Sequence, residues 1–165
     1  FGYFFIRSNL PSTFLIPFNT LLVLAKAGEI NELSKIVKPN LAVITNVAEA
    51  HIENFKSVRG IAKAKGEIIN NIDKNGTIVL NRDDRFFNYL NKKAKKKKIK
   101  IITFGMIKKS DIYLIKITKK KKIKKVTVSV KGEVLEIVIK NINIYNILAS
   151  LAVLKVRYLN TLRKE

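Results

Sequence analysis

The sequence predicts an α/β fold: a mainly parallel sheet flanked by helices, with an antiparallel β appendage near residues 111–140. Short apolar runs ending in polar residues alternate with segments of helical periodicity up to about residue 105. Three β-rich stretches then follow with no helical pattern between them. A long amphipathic segment comes last.

Taken in order, residues 29–37 carry Ile30, Leu33, Ile36 and Val37 at helical spacing, and Pro39 stops the helix. Residues 41–46 form a short apolar run ending in Thr45 and Asn46, the pattern of a buried parallel strand. A loop follows to about residue 56, and Ser57 is placed to cap a helix reaching about Ile72. Asn75-Gly76 marks a turn before a strand at 77–80. Residues 83–97 read as a helix whose basic end suits the negative end of its dipole. Residues 99–104 form a third strand, closed by Gly105. Residues 111–118, 125–131 and 134–140 are the β-rich stretches, with Gly132-Glu133 as a hairpin turn. Residues 144–159 are helical, with Leu148, Leu151, Ala152 and Lys155 on one stripe, and no internal repeat is visible.

The chain has a formal charge of +21 and no cysteine. The missing thiols exclude a disulfide framework and a thiolate metal site, and they fit a reducing cytoplasm. The charge invites a nucleic-acid partner, since clustered cations displace counterions from phosphates. However, the excess is mostly lysine in a chain also rich in Ile and Asn, which points to biased coding composition. The runs Lys95 to Lys98 and Lys119 to Lys122 lack interleaved aromatics to stack bases, so we read them as solvated faces. The apolar N-terminal stretch is interrupted by Arg7, Asn9, Pro11, Pro17 and Asn19, which argues against a membrane span.

Few residues suggest chemistry by themselves. The single histidine, His51, lies in the loop after the strand ending at Asn46, where open α/β sheets bind ligands. An imidazole there could bind a divalent metal; on position alone, a surface-loop histidine is the plainer reading. Lys65 falls on the same helical stripe as Val58, Ile61, Ile68 and Ile72. A lysine there needs a route to water or a partner, and desolvation would favour its neutral, nucleophilic form, open to carbamylation. The plainer reading is a lysine snorkelling at the helix edge. Asp83, Asp84, Asn143 and Asn146 read first as helix caps. No glycine-rich phosphate cradle ending in Lys and Ser or Thr occurs.

Several segments fall in a telling order: Ala27-Gly28-Glu29-Ile30, Lys38-Pro39, Ile44-Thr45-Asn46-Val47-Ala48-Glu49-Ala50-His51-Ile52-Glu53-Asn54-Phe55, and Ile61-Ala62-Lys63-Ala64-Lys65-Gly66-Glu67-Ile68. Gly76 to Asp84 and Asn143 to Ala152 continue the series. Each segment alone is weakly specific. The ordered set resembles the central, ATP-handling domain of the Mur ligase family, and within it the branch that joins D-alanyl-D-alanine to a UDP-N-acetylmuramoyl-tripeptide. The resemblance implies ATP-dependent amide formation through an acyl phosphate in peptidoglycan synthesis. ATP and Mg2+ would be the cofactors, in a cytoplasmic monomer. It also implies that His51 and Lys65, the latter carbamylated, serve as catalytic and magnesium-binding residues. Asn143 and Asn146 would contact adenine, and Asn46 would lie near the nucleotide phosphates.

The departures shape the expected organisation. The family's phosphate loop is missing, and Leu21 stands where the family has a metal-binding Glu. We therefore expect a truncated central domain over residues 26–158, a poorly defined or miscoded stretch over 1–25 and a basic tail over 159–165, inactive alone. Two alternatives are another Mur-type or folylpolyglutamate-type ligase, and a non-catalytic basic module that binds nucleic acid.

Overall fold

The computed structural model describes residues 4–7, 29–48, 57–120, 123–140 and 142–161, and the chain divides into two compact units. The first runs up to Leu80 and adds Asp84–Ile101; the second takes Asn81–Asp83 and the residues from Ile102 on.

The first unit holds β1 (Phe4–Arg7), α1 (Glu29–Val37), β2 (Leu41–Ile44), α2 (Val58–Lys65), α3 (Ile68–Asn71), most of β3 (Thr77–Asn81) and α4 (Phe87–Lys97). β2 and β3 pair in parallel, from Leu41 opposite Thr77 to Ile44 opposite Leu80. β1, from the stretch expected to be poorly defined, pairs antiparallel with β2. Ala42, Val43, Ile78 and Val79 are all fully buried, so both faces of this strand pair are covered, as the unbroken apolar runs require. One contiguous core joins Ile30 of α1, Ile61 and Ala64 of α2, Ile68 and Ile69 of α3, and Leu90 and Ala94 of α4 to Ala42, Ile44, Ile78 and Leu80. Burying each such branched aliphatic side chain contributes about 1.5–3 kcal/mol.

Two helices differ from expectation. The helix expected from Ser57 to Ile72 is two. Its ladder tightens at Gly66, where Glu67 N–H donates to the Ala64 carbonyl and Ile69 N–H to that of Gly66, both three residues back. The tightened turn packs closely: a Cβ on Gly66 would lie 3.1 Å from the Ala62 carbonyl oxygen and 3.2 Å from Leu90 Cδ2. The helix expected from residue 83 begins at Phe87 instead, because Asp84 organises a turn. Its Oδ1 accepts the Phe86 N–H at 2.8 Å and its carbonyl accepts the Phe87 N–H at 2.9 Å.

β4 (Lys100–Gly105) starts in the first unit and ends in the second. Lys100 N–H donates to the Gly76 carbonyl where β3 and β4 begin, and Arg82 N–H to that of Phe104 where they end. Start lies beside start and end beside end, so these strands are parallel. The second unit continues with β5 (Ile112–Lys120), β6 (Ile123–Val130), β7 (Glu133–Ile139) and α5 (Ile144–Thr161). β5, β6 and β7 pair antiparallel, as the β-rich stretches predict. The first two residues of β5 also pair in parallel with the end of β4. Asp111 fixes that return by accepting both the N–H and the hydroxyl of Thr103, at 2.8 and 2.6 Å. The hairpin turn sits one residue earlier than expected, at Lys131 and Gly132, whose φ values of 51° and 93° are the paired positive angles of a tight turn. α5 packs on β5 and β6, burying Leu148, Ala149 and Ala152 while Val126 and Val128 are buried on the strands. The architecture is a mixed sheet flanked by helices.

Candidate functional site

In the first unit Asn46 and Lys65 meet just past the carboxyl end of β2. Beyond Ile44 the chain runs through Thr45, Asn46, Val47 and Ala48, with Thr45 and Val47 buried. α2 starts from a side-chain cap. Ser57 is extended, and its Oγ accepts the Gly60 N–H at 3.1 Å, satisfying one of the free donors of the first turn.

Lys65 is the last residue of α2. Its stem lies half-buried beside Ile61, Ala62 and Ala64, and its Nζ donates to the Asn46 carbonyl at 2.8 Å. The lysine therefore has the compensating partner that its place on an apolar stripe requires. Burial lowers its pKa below the ordinary lysine value, while the negative charge of Asp84 pulls the other way.

Asp84, read from the sequence as a helix cap, does more than begin α4. While Oδ1 serves the turn, Oδ2 accepts the Val47 N–H at 2.5 Å. Its position was legible in principle: β2 and β3 are parallel with Ile44 opposite Leu80, so residues just past each strand end are neighbours. Asn46 Oδ1 is buried and has no hydrogen-bond partner among the described residues. Such an acceptor is costly to leave unmet and suits a donor supplied by a ligand or its bound water.

Asn143 and Asn146 begin α5 in the second unit, one turn apart. Asn143 Oδ1 accepts the Tyr145 N–H at 2.8 Å, and its carbonyl accepts the N–H groups of Asn146 and Ile147. The capping role read from the sequence is thus present. The same cap leaves the Asn143 side-chain NH2 outside the cap bonds. Close by, Asp83 Oδ2 accepts the Met106 N–H at 2.5 Å and the Tyr145 hydroxyl at 3.2 Å.

Of the residues singled out, Asn46 and Lys65 are in direct contact, and Asn143 and Asn146 are neighbours on one helix. His51 lies outside the described residues. Among the described residues no three His, Asp or Glu side chains form a cluster able to hold a metal, and no helix is long and apolar enough to cross a membrane. The lysines at 95–98 are exposed at the end of α4.

Residues 24–154 match the Mur ligase middle domain. The UDP-N-acetylmuramoyl-tripeptide--D-alanyl-D-alanine ligase of Rickettsia prowazekii is 42% identical over 89 residues, covering 53% of this chain and 20% of that protein. Among solved structures, MurF from Thermotoga maritima in complex with ADP is similar with a TM-score of 0.70 at 26% identity, over 82% of this chain and 31% of that one. A MurF structure from Acinetobacter baumannii gives a TM-score of 0.69 at 26% identity, over 78% and 28%. The chain thus spans well under half the length of the relatives it matches.

Proposed function

This chain belongs to the Mur ligase family, and on that footing we propose that it is part of an ATP-dependent ligase adding D-alanyl-D-alanine to a UDP-N-acetylmuramoyl-tripeptide. The observation that carries the reading is the bond from Lys65 Nζ to the Asn46 carbonyl, 2.8 Å long. It brings a partly desolvated amine to the loop that leads, five residues on, to His51.

In the proposed reaction the peptide carboxylate attacks the γ-phosphorus of ATP, forming an acyl phosphate and releasing ADP. The amine of D-alanyl-D-alanine then attacks the acyl carbon and phosphate departs. The chain's own contribution begins at Lys65. Its lowered pKa raises the fraction of neutral amine, whose lone pair can attack the carbon of CO2. A nitrogen–carbon bond forms as one C=O π bond of CO2 opens onto oxygen, one proton leaves the nitrogen, and the neutral amine becomes a carbamate anion. His51 and that carbamate would hold magnesium, which when bound neutralises charge on the transferring phosphoryl group. The buried Asn46 Oδ1, unmet among the described residues, supports a hydrated or nucleotide ligand at this loop. Asn143 and Asn146 would meet the adenine through their amides. We place the reaction in the cytoplasm, where ATP and the UDP-linked peptide meet.

The test is ATP turnover by the longer ligase that carries these residues. ADP release should require both the UDP-linked tripeptide and D-alanyl-D-alanine, vanish in Lys65→Ala and return in part with added short carboxylates. Turnover unchanged in that variant would remove Lys65 from the mechanism. Preference for a single amino acid over the dipeptide would assign the chain to another branch of the family.

A further inference from the structure

We propose that Asp84 is a positioning residue of this site, holding the Asn46–Val47 peptide group in the orientation that receives Lys65. Its bearing on ligation rests on the proposed function; the clamp itself does not.

The Asn46 carbonyl and the Val47 N–H are two ends of one peptide unit. That unit is planar and trans, so the two groups point in opposite directions. Lys65 Nζ donates to the carbonyl at 2.8 Å, and Asp84 Oδ2 accepts from the N–H at 2.5 Å. One plane is therefore gripped on both edges, by the Lys65 nitrogen and by the Asp84 carboxylate. The lysine nitrogen keeps an N–H to donate as an amine or as a carbamate, and each bond polarises the amide in the direction that strengthens the other.

Asp84 can act as an anchor because its carboxylate cannot swing freely. Oδ1 is engaged by the Phe86 N–H at 2.8 Å, at the turn that begins α4. α4 is in turn fixed to the core through Phe87, Leu90 and Ala94. The position of the peptide plane is thus referred to a packed helix rather than to the loop itself.

The consequence reaches the side chains. Fixing that plane fixes ψ of Asn46 and so restricts where its side chain points. The same plane fixes the oxygen to which Lys65 is drawn. Asp84 touches neither a substrate nor a reacting atom in this scheme; it acts through the peptide.

The test uses the full 165-residue chain, labelled with 15N and 13C, and the longer ligase. In the unaltered chain, the Val47 amide proton should lie far downfield, exchange slowly and show coupling through the hydrogen bond to Asp84 Cγ. Asp84→Asn keeps the side-chain shape but cannot accept at both oxygens. It should move the Val47 resonance upfield, speed its exchange roughly fivefold or more, as loss of a bond worth about 1 kcal/mol implies, and shift the Lys65 Cε signals, with the Ile78 and Val79 amides unchanged. In the ligase, Asp84→Asn should lower kcat by a similar factor with little change in KM for the dipeptide, and Asp84→Glu should recover part of it. A Val47 amide without protection or coupling in the unaltered chain overturns the clamp even if the variant fails to fold. An unchanged Lys65 signal or unchanged kcat in a folded Asp84→Asn overturns the positioning role. Loss of the NMR signature is read without ATP, so it stays distinguishable from failure of the ligase reading, which Lys65→Ala turnover reports.

Discussion

Asp83 and Asp84 are adjacent in sequence, yet their carboxylates serve different compact units: Asp83 accepts from Met106 and Tyr145, and Asp84 from Val47 and Phe86. A pair that reads as two helix caps is thus an anchor for each of two candidate regions.

The Asp83 anchor predicts a cost at Gly105. A Cβ there would lie 2.8 Å from Asp83 Oδ1 and 2.9 Å from its Cγ. The carboxylate can retreat only by giving up the Met106 and Tyr145 bonds. Gly105→Ala should therefore destabilise the chain by about 1–3 kcal/mol, seen as a lower urea midpoint at unchanged slope. Adding Asp83→Ala should cost less than the sum of the two single changes, because the clash disappears with its partner. Strict additivity would show that Gly105 acts elsewhere.

Most strands and helices were legible because their signals are local. The apolar runs at Leu41–Ile44 and Thr77–Asn81 and the stripe of α5 need no partner to be read. The break at Gly66 was not, since a single glycine weakens a helix without dictating where the ladder tightens, and its packing against Leu90 is tertiary. The tie from Asp84 to Val47, 37 residues away, is one that periodicity cannot encode. Within the site, the half-burial of Lys65 followed from its stripe, but its partner on the Asn46 backbone did not. A backbone acceptor leaves no mark on side-chain pattern.

Lys65→Met separates folding from function. The methionine keeps the apolar stem, removes a charge that burial penalises and forfeits the bond to the Asn46 carbonyl. These effects oppose, so chain stability should change by no more than about 1 kcal/mol. The longer ligase carrying the same change should lose turnover. A folded variant that still ligates would contradict the assignment.

The lowered pKa of Lys65 fixes the sign of a stability profile. Between that value and the ordinary 10.5, the unfolded chain keeps a proton that the folded chain has released. Stability must then rise with pH across that window, and the burial penalty is fully present below it. Denaturant melts of the unaltered chain minus those of Lys65→Met should show a rising difference as pH approaches 10.5 from below. A flat difference would mean the ammonium is as well solvated as in the unfolded chain.

Asn143 offers a test in which cap and ligand roles diverge. Its Oδ1 is used by the Tyr145 N–H, whereas its NH2 takes no part in the cap. Asn143→Asp retains an oxygen at that place and adds negative charge at the positive end of α5, so the helix should be held as well or better, by up to about 1 kcal/mol. Yet the aspartate has no NH2 to donate to an adenine ring nitrogen, and its charge repels a nucleotide. ADP affinity of the longer ligase, measured by calorimetry, should fall roughly tenfold while the melting temperature holds, since a lost hydrogen bond to a neutral acceptor is worth about 1 kcal/mol and repulsion adds to it. Asn143→Ala should lose both. If Asn143→Asp binds ADP as well as the unaltered protein, the residue is a cap alone, and the adenine contact must be sought elsewhere on α5.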